Sequence, residues 1–550
     1  MKKVIVINQD ISKKLKEKLH NRNFKKFGLD INPVVSLVSG FLLLSFATYA
    51  LFNIEQASQL FLSIKNIIIL KTDWVFIFSS NFFIMVSLYL ALSKLGNVRI
   101  GGTHIKPEFS NFAWYSMLIS AGMGIGLMFW AVGEPLYHFQ YQPPIFNNTS
   151  SASSALATTF FHWGLHPWGI YALISLALAY FSYNKNLPLS IRSVFYPIFK
   201  DKVFGILGDI IDILAVLSCL FGLATSLGLG VQQINSGLNY LLGIDISVKY
   251  QVILITVITL MATISVVSGL DKGVKFLSKL NIKIALIFML SILILGPTGY
   301  IIRLFSNALG VYLNNFIQSS FYLSMTDKAW QGDWSVFYLA WWISWSPFVG
   351  TFIARISKGR TVREFVFAVL IIPSLLSFIW LSVFGGSAIF INNVSNGQLL
   401  SVVQNNLPIA IFEMINLLNI SFLANFLKIS LSIIATILVI SFFITSSDSG
   451  SLVVDNITSG GKLDSPVPQR IFWACMEGVV AAILLLIGGE KALSALQAAV
   501  ISTGLPFAII LTIMSVLLLK SMQHTYHKQK IVKDVKRYKK LIHPKIKEEP

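Results

Sequence analysis

Three tryptophans, Trp341, Trp342 and Trp345, fall within five residues of the apolar stretch LAWWISWSPF, Leu339 to Phe348. A second aromatic group lies in FHWGLHPWGIYALI, Phe161 to Ile174, where Trp163, Trp168 and Tyr171 share one broad face if the stretch is helical. Tryptophan is large and its N–H is polar, so neither group is an ordinary lipid-facing filler. One reading is an aromatic belt at a membrane–water interface. The other is a shaped pocket, since Gly164 and Pro167 interrupt the second stretch. With no carboxylate between them, such rings would serve a primary amine badly, because it would lose its hydrogen bonds to water and gain no acceptor. A quaternary ammonium has no N–H to satisfy, and each ring face attracts it by roughly 0.5–2 kcal/mol when desolvated.

Three further stretches carry chemistry. In SAGMGIGLMFWAVGEP, Ser120 to Pro135, the residues Gly122, Gly124 and Gly126 alternate, each costing a helix about 1 kcal/mol relative to alanine. Unwinding there would free carbonyls for ions and charged substrate groups; close helix packing through small residues is the other reading. Glu134, just before Pro135, is expected at the outer end of its span, in the interface. In SFFITSSDSGS, Ser441 to Ser451, the hydroxyls of Thr445 and Ser446 suit a dehydrated Na⁺, a hard cation wanting oxygen ligands. Asp448 is expected to end that helix at the cytoplasmic edge. His162 and His166 have the HxxxH spacing of membrane di-iron enzymes. The remaining histidines, His20, His104, His138, His524, His527 and His543, supply no comparable cluster, so both are expected to pack inside their helix.

The elements that must position these residues are membrane spans. The chain has 550 residues, is 55% hydrophobic and only 12% charged, with a mean hydropathy of +0.71. Only a bilayer can be the solvent for most of it. About twelve apolar segments are long enough to span, near 33–53, 73–93, 113–139, 156–182, 209–241, 248–268, 283–304, 334–356, 365–391, 426–452, 470–488 and 493–519. With the N-terminus inside, 36 Lys/Arg lie in cytoplasmic segments and 7 outside, which places both termini in the cytoplasm. The loop RISKGRTVRE, Arg355 to Glu364, anchors that topology. The net charge of +19 sits mainly in the two tails and short loops. It fits an anionic inner leaflet and not a nucleic-acid partner. Cys219 and Cys475 each lie in an apolar stretch, with neither a disulfide nor a zinc spacing implied. The first apolar run reads as an uncleaved signal anchor.

The stretches GMGIGLMFW (122–130), HWGLHPWGIYALISLALAYFSYNKNLPLSIRS (162–193), FGLATSLGLGVQQINSGL (221–238), GDWSVFYLAWWISWSPFVGTFIARISKGRTVREF (332–365) and FFITSSDSGS (442–451) resemble the betaine/choline/carnitine transporter family. The likeness is in order and covers most of the chain after residue 110. It implies an all-α polytopic membrane protein with leucine-transporter-like architecture, in which spans 3–7 and 8–12 form two inverted five-helix repeats. On this chain that means a basic cytoplasmic tail (1–31), two peripheral spans (32–110), a first repeat (111–305), an extracytoplasmic connector (306–332), a second repeat (333–520) and a second basic tail (521–550). It further implies a homotrimer in a bacterial inner membrane, without cofactor, carrying trimethylammonium compounds by ion symport or by exchange.

By resemblance, Trp163, Trp168, Tyr171 and Trp342 form the substrate's aromatic box, with Trp345 along the pathway. Gly122, Met123, Gly124 and Gly126 line the site. A sodium site would use backbone oxygen at Ser120, Met123 and Phe442 and the hydroxyls of Thr445 and Ser446. A second sodium site is in doubt, because Cys219 and Leu223 stand where hydroxyls are needed, facing Phe348. Lys283 lies near the place where ion-independent members carry a fixed positive charge; a lysine snorkelling to the cytoplasm is the alternative. Choline carriers of the family often have aspartate where this chain has Gly126, so a zwitterion such as glycine betaine is the expected substrate.

Overall fold

The computed structural model describes residues 17, 19, 22–122, 124–146, 151–268, 273–326, 328–462 and 464–542. Among them the chain is helical apart from turns, loops and two isolated β-bridges. Ten helices are long and apolar enough to cross a membrane, and two bent pairs raise the number to twelve. The protein is a multi-pass integral membrane protein.

In chain order the main helices are α1 (Pro33–Phe52), α2 (Ile54–Leu92), α3 (Asn111–Gly122), α4 (Ile125–Gln140), α5 (Ala152–Trp163), α6 (Leu165–Ala179) and α7 (Ile206–Leu242). They continue with α8 (Val248–Ser268), α9 (Gly273–Leu295), α10 (Thr298–Asn314), α11 (Phe337–Ile356), α12 (Val362–Val394), α13 (Ala424–Thr458), α14 (Val467–Gly488) and α15 (Ala492–Ile542). The starts follow local chemistry. Asn32 accepts the Val35 N–H and Pro33, which has no N–H to satisfy, opens α1. Thr361 accepts the Glu364 N–H to open α12.

Burial orders the bundle. The apolar window of α5 and α6 is 94% buried and that of α11 is 83% buried, against 39% for α1 and 33% for α8. The two aromatic stretches are therefore at the centre, and α1 and α8 are at the rim. This removes the interfacial-belt reading of the tryptophans.

One span differs from the sequence expectation. The segment expected near 283–304 bends by 108° between Leu295 and Thr298. Gly296 and Pro297 stand at the bend, where proline cannot donate to the preceding turn and disfavours helix in the residue before it. Beyond it α10 buries Ile301, Leu304, Ala308 and Tyr312 along one face, as an amphipathic helix does.

Ion pairs fasten the end of the bundle where α7 begins. Arg192 is fully buried; its Nη1 lies 2.9 Å from Asp209 and its Nε 2.5 Å from Asp212, both on α7. Arg22, from the segment before α1, reaches Asp209 at 2.7 Å. Near the start of α3, Arg360 donates to Phe109 O at 2.7 Å and stacks over the Trp114 ring at 4.4 Å. The loop before it closes on Gly359, whose φ is +86° and where an added Cβ would lie 2.3 Å from Lys106 O, so no side chain fits. The RISKGRTVRE loop thus holds α3 in place as well as carrying charge.

Removing Arg192 leaves the Asp212 carboxylate buried without its cation, while Asp209 keeps Arg22. Arg192→Ala should destabilise the protein by about 3–5 kcal/mol, read as a lower melting temperature in detergent. An unchanged melting temperature would contradict this role.

Candidate functional site

The helix carrying the second aromatic stretch is not continuous. Gly164, at φ −100° and ψ −124°, separates α5 from α6. Trp163 ends the one, and Trp168 and Tyr171 lie in the other. Even so, all three turn inward with Trp342, and the four are 3–6% exposed. Trp163 and Trp342 pack edge-to-face at 4.9 Å, Trp168 and Tyr171 at 5.4 Å, and Tyr171 and Trp342 at 6.4 Å. Trp341 stacks on Trp342 at 5.0 Å.

These rings border a cavity, which Trp345, Gly124, Gly126, Ser226 and Ser377 also line. No aspartate, glutamate, lysine or arginine is among its lining residues. Gly126 permits the ring arrangement: a Cβ there would lie 2.9 Å from both Trp163 and Trp341. A Cβ on Gly124 would meet Trp345 at 3.8 Å, which is ordinary contact. Gly124 is extended, at φ −166° and ψ −174°, between α3 and α4, and those two helices meet at 62°. Of the two readings of the glycine stretch, a helical break is the one present. Gly122 ends α3, whereas Met123 lies outside the described residues.

Three of the cavity's indole N–H groups have protein acceptors away from it, while that of Trp345 is buried with no partner among the described residues. Trp342 donates to His162 O at 2.9 Å, Trp341 to Gly222 O at 3.4 Å and Trp163 to Glu134 Oε2 at 2.7 Å.

Glu134 corrects the sequence expectation. It is not interfacial but fully buried. Besides Trp163 it receives the Tyr338 hydroxyl at 2.6 Å, and its Oε1 lies 2.7 Å from His162 Nδ1 and 3.4 Å from His138 Nε2. The other His162 nitrogen is 3.0 Å from the Ser335 hydroxyl. Glu134, His138 and His162 could between them offer three metal-ligand atoms within 4.8 Å. The carboxylate is already occupied by donors from Trp163 and Tyr338, so the set orients the aromatic box. The sequence treated His138 and His162 as unrelated; Pro135 and the course of α4 bring them together. His166 turns elsewhere, its Nε2 3.1 Å from Asn81 Oδ1.

A second cavity is lined by Ser120, Phe442, Thr445 and Ser446, among others. Four of the five expected sodium ligands are therefore neighbours, from α3 and α13. The Thr445 hydroxyl donates to Ser441 O at 2.9 Å and to Phe442 O at 3.2 Å. Trp345 lines both cavities and separates them. The α9 residue that reaches this place is Asn281, which donates to Thr445 Oγ1 at 3.3 Å and accepts from Ser441. Lys283 is exposed. Cys219 and Leu223 are fully buried on α7. Asp448 does not end its helix: α13 runs on to Thr458, and Asp448 is 1% exposed with Ser265 donating to it at 2.6 Å.

Deep cavities between broken helices, with oxygen ligands on one side and ring faces on the other, define a membrane transporter of small solutes. Comparison with known proteins is consistent with that class. Residues 34–527 match the family model of the betaine/carnitine/choline transporters. Glycine betaine transporter 1 of Vibrio parahaemolyticus is 48% identical over 511 residues, covering 91% of this chain and 95% of that protein. A glycine betaine/proline/choline/ectoine transporter of the same organism is 47% identical, over 91% of this chain and 89% of its own. The glycine betaine transporter of Acinetobacter baylyi is 40% identical, over 92% and 76%. The chain belongs to the betaine/carnitine/choline transporter family and is a transporter, not an enzyme.

Glu134→Ala leaves the Trp163 N–H and the Tyr338 hydroxyl buried without an acceptor, at about 1–3 kcal/mol each. In fluorotryptophan-labelled protein the Trp163 fluorine resonance, assigned with Trp163→Phe, should shift and broaden, and less so in Glu134→Gln. An unmoved resonance in Glu134→Ala would contradict the anchoring.

Proposed function

We propose that this transporter takes up glycine betaine together with Na⁺ by alternating access. The observation that carries the reading is a ring-walled cavity with no carboxylate in its lining, in which the N–H groups of Trp163, Trp341 and Trp342 are each taken by a protein acceptor. The trimethylammonium head seats against Trp163, Trp168, Tyr171 and Trp342. The substrate's carboxylate requires no cationic partner, since a zwitterion carries its own charge balance, and the Ser226 and Ser377 hydroxyls on the same wall are of the right chemistry for it. Choline fits less well: the complementary aspartate would stand at 126, where glycine is needed for the rings to close. The names of the similar Vibrio and Acinetobacter proteins support betaine as the substrate class. Carnitine transport, coupling to protons in place of Na⁺, and ion-independent exchange are the outcomes against which uptake assays discriminate.

Na⁺ would be held by backbone oxygen at Ser120, Met123 and Phe442 and by the Thr445 and Ser446 hydroxyls. One Na⁺ falling through 100 mV releases about 2.3 kcal/mol. At about 1.4 kcal/mol per decade this supports roughly fifty-fold accumulation of a zwitterion. We further propose that the helices form two inverted repeats (111–305 and 333–520) joined by an extracytoplasmic connector (306–332), with spans 32–110 at the periphery. The basic tails 1–31 and 521–550 would lie on the cytoplasmic face of a bacterial inner membrane, in a homotrimer.

Uptake of radiolabelled betaine, choline and carnitine into proteoliposomes, with sodium and proton gradients varied separately, tests the reading. Trp342→Leu removes one ring and should raise the betaine KM by roughly 2–30-fold; unchanged uptake would contradict the site. Thr445→Ala with Ser446→Ala should weaken the sodium dependence of uptake. If the double variant keeps the wild-type sodium dependence, the ion assignment fails.

A further inference from the structure

Glu477 takes no part in either cavity. It sits near the middle of α14, about 15 Å from each end at 1.5 Å per residue, and is 1% exposed. Its hydrogen bonding is meagre. Ser447 of α13 reaches Oε2 at 3.4 Å, and Oε1 has no partner. Among the described residues it forms no ion pair, and next to it Gly478 packs so tightly on Thr259 of α8 that a Cβ would lie 2.5 Å from the threonine hydroxyl.

The ionisable groups that act on Glu477 make an anion there worse. Asp448 of α13 is near enough to act on it, and the free, buried Cys219 of α7 lies close by. From α8 come only the hydroxyls of Thr259 and Ser265. α1 and the apolar part of α15 bring no charged side chain. Lys65 of α2 is engaged by Asp333 and Gln497. Arg470, on α14 itself, is two turns away and donates to Ser465 at 3.1 Å. Charge on an isolated carboxylate in such surroundings is costly unless it is paired or neutralised. An ionisable residue kept inside a membrane span despite that cost marks an ion pathway.

We propose that Glu477 is a proton-binding site, loaded from the outer aqueous phase and emptied to the inner one during the betaine cycle. The O–H bond of its carboxylic acid forms with an external proton and breaks to release a proton inside, so one positive charge accompanies each turnover. The helix that touches Glu477, α13, also carries Thr445 and Ser446. Movement of α13 between inward- and outward-facing states alters the Ser447 contact and the access of water to Glu477. The inference rests on the uptake reading above.

The test uses purified full-length protein in liposomes that trap a pH-sensitive dye, with equal Na⁺ on both sides. External betaine should acidify the lumen with wild-type protein. Glu477→Gln, which mimics the protonated acid in shape and charge, should abolish the acidification and the stimulation of uptake by external acid. It should leave betaine-induced tryptophan fluorescence unchanged, and Glu477→Asp should restore part of the proton signal. Acidification by Glu477→Gln equal to wild type, or none by wild-type protein that still binds and takes up betaine, would overturn the proposal. Failure of the wild type to bind betaine at all would instead overturn the substrate reading.

Discussion

A tryptophan can turn its face to a cation inside a membrane only if its N–H is satisfied elsewhere. That constraint shapes the centre of this molecule. Each of three indoles bordering the cavity sends its N–H away from it, to a carbonyl of α5, a carbonyl of α7 or the carboxylate of Glu134. The faces that remain are apolar enough to exclude water and negative enough to receive a methylated cation. Two broken helices make the arrangement possible. Gly164 lets Trp163 and Trp168 face one space from different helices, and the bend between α3 and α4 brings Gly126 under the rings.

Buried polar groups then sort by what they touch. Glu134 is surrounded by donors, and its anchoring role follows from that. Arg192, Asp209 and Asp212 pair with one another and brace the end of the bundle. Thr445, Ser446 and backbone oxygen from α3 and α13 collect acceptors without a cation among them. Glu477 has almost nothing. The same low dielectric makes the first two sets structural, and it is why the last two carry the ion-binding proposals.

Much of this was legible in the sequence because function in a membrane breaks the rules of lipid solubility. Tryptophans beside glycines, alternating glycines and a run of hydroxyls stand out against Leu, Ile and Phe, and they proved to share two adjoining cavities. The residues that escaped notice are those whose role depends on a distant partner. Glu134 looks interfacial beside Pro135; its identity as an anchor requires Trp163, 29 residues on, and Tyr338, 204 residues on. Asn281 is one amide in a basic helix start until α13 is laid against it, and Lys283, two residues away, drew attention by its charge alone. Asp448 was misplaced because hydroxyls and an acid after an apolar run look like a helix end, whereas α13 continues to Thr458. Hydropathy cannot register the turn at Gly296–Pro297 either, since both arms are apolar on average.

The central claim is that positive charge, and not merely a bulky apolar head, is what the rings hold. Glycine betaine and tert-butylacetate have the same shape and the same carboxylate, but the second has carbon in place of the charged nitrogen. Equilibrium binding of the two to the purified protein compares them directly. Four ring faces at roughly 0.5–2 kcal/mol each predict that tert-butylacetate binds at least about thirty-fold more weakly. Equal affinity for the two would contradict the account.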